Sequence, residues 1–326
     1  MKTPNFWKNK NIVSLILYPL SVIYYGMYKL RVLINASPYK SKIPLICIGN
    51  TVTGGAGKTP FAIELGKILN KNKIKFAYLS KGYGGNFEGF MKVNFKKHNS
   101  NLVGDESLLL SEISDTFICK NRVDGLKKLN QSGAKYKYII MDDGLQNPTF
   151  KKDFGILVID GNYGLGNGFI LPAGALREGL FDSLKKVQLV ILMGKDKFNL
   201  RKIIAKNKSV KIIKGEIKEV AKAKFKKNKY VAFSGIARPE KFFDSLKKVG
   251  VKVLKKIPFA DHYKYSNDDI KNLFDIAKKS KCKLITTKKD WVRIDKKYQS
   301  KIEYLDIEIE LNNSKIIEKL LVRNDR

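Results

Sequence analysis

The sequence predicts an α/β protein. A mostly parallel sheet domain carries helices on its faces, a second and smaller α/β domain follows it, and an apolar helix precedes both. Three observations predict this. Short apolar runs alternate with longer segments of helical periodicity, the pattern of repeated strand–helix–strand units. The alternation fades between about Leu200 and Lys229, where the chain is lysine-rich and weakly patterned, and then resumes. Residues 11–28, NIVSLILYPLSVIYYGMY, contain no charge. With 326 residues, 44% of them hydrophobic, the chain is long and apolar enough for two cores. The expected units are 1–38, 39–215 and 216–326.

In chain order, the charge-free stretch comes first. Eighteen helical residues span about 27 Å, close to the ~30 Å hydrocarbon core of a bilayer. Lys8 and Lys10 precede it, Lys29 and Arg31 follow it, Pro19 would kink it, and Tyr18, Tyr24, Tyr25 and Tyr28 suit a membrane interface. A core helix, a signal peptide and a true span with a domain on each side are competing readings. A helix embedded from the cytosolic side fits best.

Leu45 to Ile48 read as a buried parallel strand that ends at Gly49-Asn50. Thr53-Gly54-Gly55-Ala56-Gly57-Lys58-Thr59-Pro60 follows, and a helical pattern starts at Lys58. A glycine loop between strand and helix is the context of a phosphate-binding loop, so the first domain is expected to be P-loop NTPase-like. Glycines let backbone N–H groups turn toward phosphate oxygens, and the helix N-terminus adds partial positive charge. Lys58 can reach outer phosphates and the Thr59 hydroxyl can ligate Mg²⁺. Val52 stands where the strict pattern has its first glycine. A signal peptide would export this loop away from ATP, which counts against that reading of the N-terminus.

Further strands are expected at Ile74–Leu79, Met91–Phe95, Phe117–Cys119, Tyr138–Met141, Phe154–Ile159 and Val187–Met193. In the second domain they fall at Tyr230–Phe233, Val251–Ile257, Leu284–Thr286 and Ile302–Ile309. Helices are expected at Pro239–Val249, Ser266–Lys278 and Ser314–Leu321, with Ser266 and Asp269 spaced as a capping box. Asp142-Asp143 ends an apolar strand downstream of the loop, where a carboxylate can hold Mg²⁺ on bound phosphates. Asp105 and Glu106 open a helix, a common place for carboxylates. His262 is a lone histidine after a strand of the second domain. Arg177-Glu178 lies past the glycine loop ending at Gly168; Arg could meet phosphate and Glu could meet metal, or the two could form a surface ion pair.

Thr287-Lys288-Lys289-Asp290 fits the guanine-reading motif of GTPases, but among 56 lysines such a match arises easily, and no DxxG overlaps the Asp142-Asp143-Gly144 turn. The net charge of +34 is carried by 56 Lys against 8 Arg, scattered along the chain. Base readers favour Arg forks, so no nucleic-acid partner is expected; attraction to an anionic membrane or anionic substrate is the alternative. No obligate protein partner is evident. Three distant cysteines without a CxxC pair suggest reduced thiols, and two histidines exclude a histidine-rich metal site.

Taken together, the segments resemble the tetraacyldisaccharide 4'-kinase family. The resemblance covers most of the chain: the apolar N-terminal helix, GNTVTGGAGKTP from Gly49, SKGYGG from Ser80, VGDE from Val103, DDGLQ from Asp142, GNGFILPAGALRE from Gly166, FSGIARPEKFF from Phe233, FADHYKY from Phe259 and TTKKD from Thr286. Asn147, Lys81, Ala175 and Gly179 depart from the usual pattern. The resemblance implies phosphoryl transfer from ATP, with Mg²⁺, to the 4'-hydroxyl of tetraacyldisaccharide 1-phosphate in lipid A biosynthesis. The site would lie between two closing domains at the cytoplasmic face of the inner membrane. It implies that Thr53 to Pro60 bind nucleotide and that Lys58 neutralises phosphate charge. Thr59, Asp142, Asp143 and Glu178 would serve the metal, and Glu106, Gln146, Asn147 and Arg177 the substrate. Asp105 would accept the hydroxyl proton, oriented by His262. A membrane-associated ATPase or GTPase acting as a nucleotide switch is the alternative function.

Overall fold

The structure, a computed structural model, describes residues 4–35, 37–220 and 222–321. Its strands are β1 (Leu45–Gly49), β2 (Phe76–Ser80), β3 (Phe90–Lys92), β4 (Thr116–Cys119), β5 (Tyr138–Asp142), β6 (Phe154–Asp160), β7 (Leu189–Met193), β8 (Lys211–Val220), β9 (Lys229–Ser234), β10 (Lys252–Pro258), β11 (Lys283–Thr287) and β12 (Ile302–Leu311). They form one sheet in the order β10-β9-β11-β12-β8-β7-β6-β1-β5-β2-β4-β3. All neighbouring pairs are parallel except β3–β4 and β8–β12.

The central strands β1, β2 and β7 are buried at every position, as strands covered on both faces must be. Alternate side chains of β1 feed two cores. Ile46 and Ile48 pack with Phe61, Leu65 and Leu69 of the helix Lys58–Lys71. Leu45 and Cys47 pack with Leu126 and Leu129 of the helix Arg122–Gln131. The second unit repeats the plan around β9. Tyr230 and Ala232 meet Phe242, Phe243 and Leu246 on one face, while Val231 and Phe233 meet Ile270 and Leu273 on the other.

Two expectations need correction. The division at 215/216 falls inside β8. Lys211–Gly215 pair with β7, and Gly215–Val220 pair antiparallel with Asp306–Leu311 of β12. The weak pattern of this segment has a plain cause: β8 bridges two units and is exposed at many positions, so no run of core residues marks it. The chain then returns. Ile309, with Ile317 and Leu321 of the helix Lys315–Leu321, packs into the core beneath the glycine loop. The final segment therefore belongs with the first unit.

The apolar N-terminus is the second correction. It forms two helices, Ile12–Ile16 and Tyr18–Ile34, and among the described residues no helix is long and apolar enough to cross a membrane. Pro19 stands in the first turn of the second helix, where its missing N–H costs nothing, and so begins that helix and does not kink it. The helix runs past Lys29 and Arg31, beyond its expected end.

One glycine of the first core can be tested. A Cβ on Gly66 would lie 2.1 Å from Tyr78 Oη and 2.8 Å from Ile113 Cγ2. The Tyr78 hydroxyl is fixed by donating to Ala62 O at 2.7 Å. Gly66→Ala therefore sets a helix-propensity gain of about 1 kcal/mol against overpacking of roughly 1–3 kcal/mol. Urea denaturation is expected to show net destabilisation, partly relieved by a second substitution, Tyr78→Phe.

Candidate active site

The glycine loop leaves β1 and turns over the N-terminus of the helix Lys58–Lys71. Gly54 and Gly57 have φ of 111° and 92°, which side chains with a Cβ rarely adopt. The loop is held from outside. Thr53 N–H and Oγ1–H both donate to Ala175 O, at 2.8 and 3.1 Å, and Arg177 N–H donates to Thr51 O at 2.8 Å. Val52 is buried against Ala175 and Leu176, beside Trp7 and Tyr163, so the residue that breaks the strict glycine pattern serves as a packing anchor.

Lys58 Nζ donates to Asn50 Oδ1 at 2.9 Å and lies 3.4 Å from Asp143 Oδ1. Thr59 Oγ1 donates to Asp142 Oδ2 at 2.9 Å, while Asp142 Oδ1 is buried with no hydrogen-bond partner. Burial, reinforced by the charge of Glu106, pushes the Asp142 carboxyl up to about 7. Asp143 has φ of 57° and receives Arg177 NH1 on both oxygens, at 2.8 and 3.0 Å. Burial opposes its ionisation, but Lys58 and Arg177 hold it below the usual carboxylate range. Arg122, absent from the sequence reading, adds a second buried cation: its Nε is unpartnered and burial lowers its affinity for a proton.

Asp105 begins the helix Asp105–Ser111 and is buried. Gly104, at φ 83°, lets the Ser80–Gly85 loop approach: a Cβ there would lie 2.4 Å from Tyr83 O. Asp105 Oδ2 faces the second unit. Arg293 reaches it with Nε at 2.8 Å and also with NH2. Lys289 Nζ is 3.8 Å away and His262 Nδ1 is 3.4 Å away. Burial alone would raise this carboxyl; the hydrogen bond from His262 and the charges of Lys289 and Arg293 hold it well below the usual range. His262 has φ of 55°, its Nε2 lies 3.4 Å from Lys289 Nζ, and its ring meets Tyr83 edge-on. Glu106 Oε1 accepts from Lys289 Nζ at 3.2 Å, so both acidic residues opening this helix face cations of the other unit.

Arg293 and Lys289 were not found from the sequence. Arg293 lies 188 residues from its partner Asp105, so no local spacing signals the pair. The Thr287–Asp290 motif has a structural role: Asp290, fully buried, accepts from Ser234 Oγ, Gly235 N, Tyr265 Oη, Thr287 Oγ1 and Arg293 NH1. A carboxylate so engaged is no guanine reader.

Glu178 is not with the other expected metal ligands. It is fully buried, and both its oxygens are taken: Oε1 by Gln146 Nε2 at 3.1 Å and Ser183 Oγ at 2.8 Å, Oε2 by Tyr28 Oη at 2.8 Å and by Lys186. Its neighbour Arg177 points to Asp143, whereas Glu178 points to the N-terminal helix. Gln146 also donates to Asn50 O, tying this cluster to the glycine loop. Asn147 Oδ1 accepts from Thr149 N–H and Oγ1–H, and so shapes a turn with its own carbonyl side.

A parallel sheet that carries a glycine loop, a Lys-Thr pair at a helix start and two carboxylates at the end of the adjoining strand defines a P-loop phosphotransferase-type enzyme. The family model described as tetraacyldisaccharide-1-P 4'-kinase matches residues 13–324. The tetraacyldisaccharide 4'-kinase of Paramagnetospirillum magneticum is 37% identical over 99% of this chain and 98% of its own length. That of Rhodospirillum rubrum is 36% identical over 99% and 98%. The chain belongs to the tetraacyldisaccharide 4'-kinase family. Its fold is that of the Aquifex aeolicus LpxK crystallised in complex with ATP, with a TM-score of 0.75, 23% identity, and 96% and 99% of the two chains covered.

The Arg293 fork has a measurable consequence. Arg293→Gln takes from the buried Asp105 and Asp290 the guanidinium they share, leaving Asp105 only the more distant Lys289 and His262, at a cost of about 3–5 kcal/mol in urea denaturation. The folded Asp105 holds its charge more strongly than the unfolded one, whose pKa is about 3.9. Its stabilisation is thus complete above about pH 4 and lost as pH falls further. Melting temperature is expected to fall more steeply on acidification below pH 4 in the wild type than in Arg293→Gln.

Proposed function

We propose that the protein transfers the γ-phosphoryl group of ATP to the 4'-hydroxyl of tetraacyldisaccharide 1-phosphate, a step of lipid A biosynthesis. The observation that carries this reading is the placement of Asp105, from the unit bearing the glycine loop, within 3.4 Å of His262 from the other unit. A nucleotide switch has no need of a carboxylate positioned against a histidine; an acceptor hydroxyl has. Family membership also favours the kinase over an ATPase or GTPase switch.

In this reading the loop amides from Thr53 to Thr59 cradle the phosphates, and Pro60, in the first turn of the helix, removes no needed donor. Lys58 leaves Asn50 and Asp143 to neutralise charge on the transferred group. The acceptor oxygen bonds to Pγ as the bond from Pγ to the bridging oxygen of ADP breaks, and Asp105 Oδ2 takes the hydroxyl proton. His262 orients Asp105 from the facing unit. A carboxylate held so firmly anionic is a weak base, which suits a loose transition state in which the hydroxyl needs little activation. Arg177 and Arg122 flank Asp143 and are placed to meet phosphate or substrate anions.

The residues fit Mg²⁺. Asp142 Oδ1 is a buried oxygen without a partner, and Thr59 Oγ1 is bonded to the same carboxylate. Among the described residues no group of three or more His, Cys, Asp or Glu could hold a metal by itself. Mg²⁺ commonly takes one or two carboxylates and completes its shell with phosphate oxygens and water. Thr59, Asp142 and Asp143 would hold it, and bound there it would neutralise charge shared by the β- and γ-phosphates.

The same proposal places the enzyme on the cytoplasmic face of the inner membrane through its N-terminal helices. Their polarity is inverted. Ser21 donates to Ile170 O, Tyr25 to Asp182 and Tyr28 to Glu178, all toward the protein. Ile16, Ile23, Met27, Leu30, Leu33 and Ile34 face outward and are exposed. A helix with its apolar side to solvent suits the boundary between head groups and acyl chains, where an acylated substrate resides.

Two sets of variants test the reading. Lys58→Ala is expected to abolish transfer of label from γ-labelled ATP to lipid, with the fold intact. Asp105→Asn and His262→Ala are each expected to lower kcat ~10²–10⁴-fold with little change in the KM for ATP. Because groups acting as a unit are non-additive, the double variant should resemble the worse single one; multiplying losses would show independent action. For the membrane, the triple variant Ile16→Glu, Ile23→Glu, Leu30→Glu should fold normally, since all three side chains are exposed. It should no longer sediment with vesicles at high salt, where lysine attraction is screened. Retained binding would exclude the helix as anchor.

A further inference from the structure

Behind the Asp142–Gln146 turn lies a second cavity, of about 430 Å³. Three segments line it: Tyr28 and Val32 of the N-terminal helix with Asn35 and Pro38 beyond its end, residues between β5 and β6 that include Lys151 and Lys152, and Lys185, Lys186 and Gln188 before β7. Lys151, Lys152, Lys185 and Lys186 all line it, and no carboxylate does. Lys186 is matched by Glu178, which sits behind the wall, and also donates to Tyr28 Oη at 2.6 Å. Among the described residues the other three cations form no ion pair. Lys152 Nζ donates only to Asn147 O, at 2.6 Å, and Lys151 and Lys185 extend their side chains from exposed positions. Burial, the largest cause, and the neighbouring Lys186 make Lys152 harder to protonate than an ordinary lysine, against an opposing pull from Glu178.

The surroundings narrow the ligand. Val32, which lines the cavity, is itself exposed, and the same helix carries Leu30, Leu33 and Ile34, also exposed, on its outward side. A molecule spanning both regions carries a negative head and apolar chains. The flexible, multiply donating lysine ammonium is suited to phosphate as a point charge. We infer that this cavity is an anion subsite for the phosphate of an amphiphile, with Lys151, Lys152 and Lys185 as its cations. Two molecules offer that chemistry: the acylated disaccharide through its 1-phosphate, and an anionic phospholipid of the surrounding bilayer. The first source rests on the kinase reading; the second does not.

The test uses the full chain with Lys151→Glu and Lys185→Glu together, two exposed residues whose side chains have no partner among the described residues. Lys206→Glu with Lys208→Glu, on the exposed loop before β8, changes net charge equally and serves as control. In the first arm the KM for tetraacyldisaccharide 1-phosphate in detergent micelles is compared with that for the same disaccharide bearing a free 1-hydroxyl. In the second arm, binding to phosphatidylcholine vesicles is measured with and without phosphatidic acid. Loss of charged hydrogen bonds to phosphate weakens binding roughly tenfold or more. A rise of that size in KM for the phosphorylated disaccharide alone assigns the cavity to the substrate. A loss of that size in binding to the phosphatidic acid vesicles alone assigns it to bilayer phospholipid. Changes below twofold in both arms overturn the inference, as do equal losses in the control pair. If the wild type fails to phosphorylate the lipid, the kinase reading falls, and the vesicle arm still decides the cavity.

Discussion

The geometry of the site depends on one ion pair that crosses between the two units. Asp105 belongs to the unit with the glycine loop, and Arg293 to the unit built on β9 and β11. Both are buried, and the guanidinium fork meets the carboxylate through two nitrogens. A buried pair is costly to form, because both ions lose water, and only good geometry with further hydrogen bonds offsets the loss. Here the remaining donor, NH1, is used on Gly235 O and Asp290. Asp290 in turn holds Ser234, Gly235 and Tyr265, the turn from which His262 N–H donates to Gly235 O. The fork therefore aligns Asp105 and His262 together, since both are referred to the same buried carboxylate.

A second buried charge organises the opposite side. Glu178 gathers Tyr28, Gln146, Ser183 and Lys186. One residue thereby links the N-terminal helix to the loop that carries Asp142 and Asp143. Glu178, expected with the metal, thus carries a structural link of its own in this structure. The helix that offers its apolar side outward is fastened inward by the same cluster that, through Gln146 and Asn50, reaches Lys58.

The fold was largely legible because its strands are apolar runs and its glycine loop joins a strand to a helix, with Gly54 and Gly57 at positive φ. β8 was missed because a strand shared between two units and partly exposed carries no uninterrupted core pattern. Asp142, Asp143, Lys58 and Thr59 could be read locally, since a strand end and a helix start lie at fixed places in a parallel sheet. Asp105 and His262 came from resemblance to a family. Arg293 came from neither, because an ion pair between distant segments leaves no periodic trace. Glu178, expected with the metal, has both oxygens engaged by the protein in this structure, while its neighbour Arg177 points to Asp143, an arrangement of irregular backbone that no local pattern announces.

The loop in its present state is satisfied by the protein itself. Lys58 is bonded to Asn50 and close to Asp143, Arg177 is engaged by Asp143, and Thr59 is bonded to Asp142. On the proposed reading, nucleotide binding would be an exchange of partners: phosphate would replace carboxylate on the cations, and the carboxylates so released would be free to turn to the metal. Asp142 Oδ1 is the exception, a buried oxygen left unpaired beforehand. An unpaired buried acceptor destabilises the protein until a partner arrives. On that reading, Mg²⁺ held at the foot of the loop would offset the polar cost carried at this strand end.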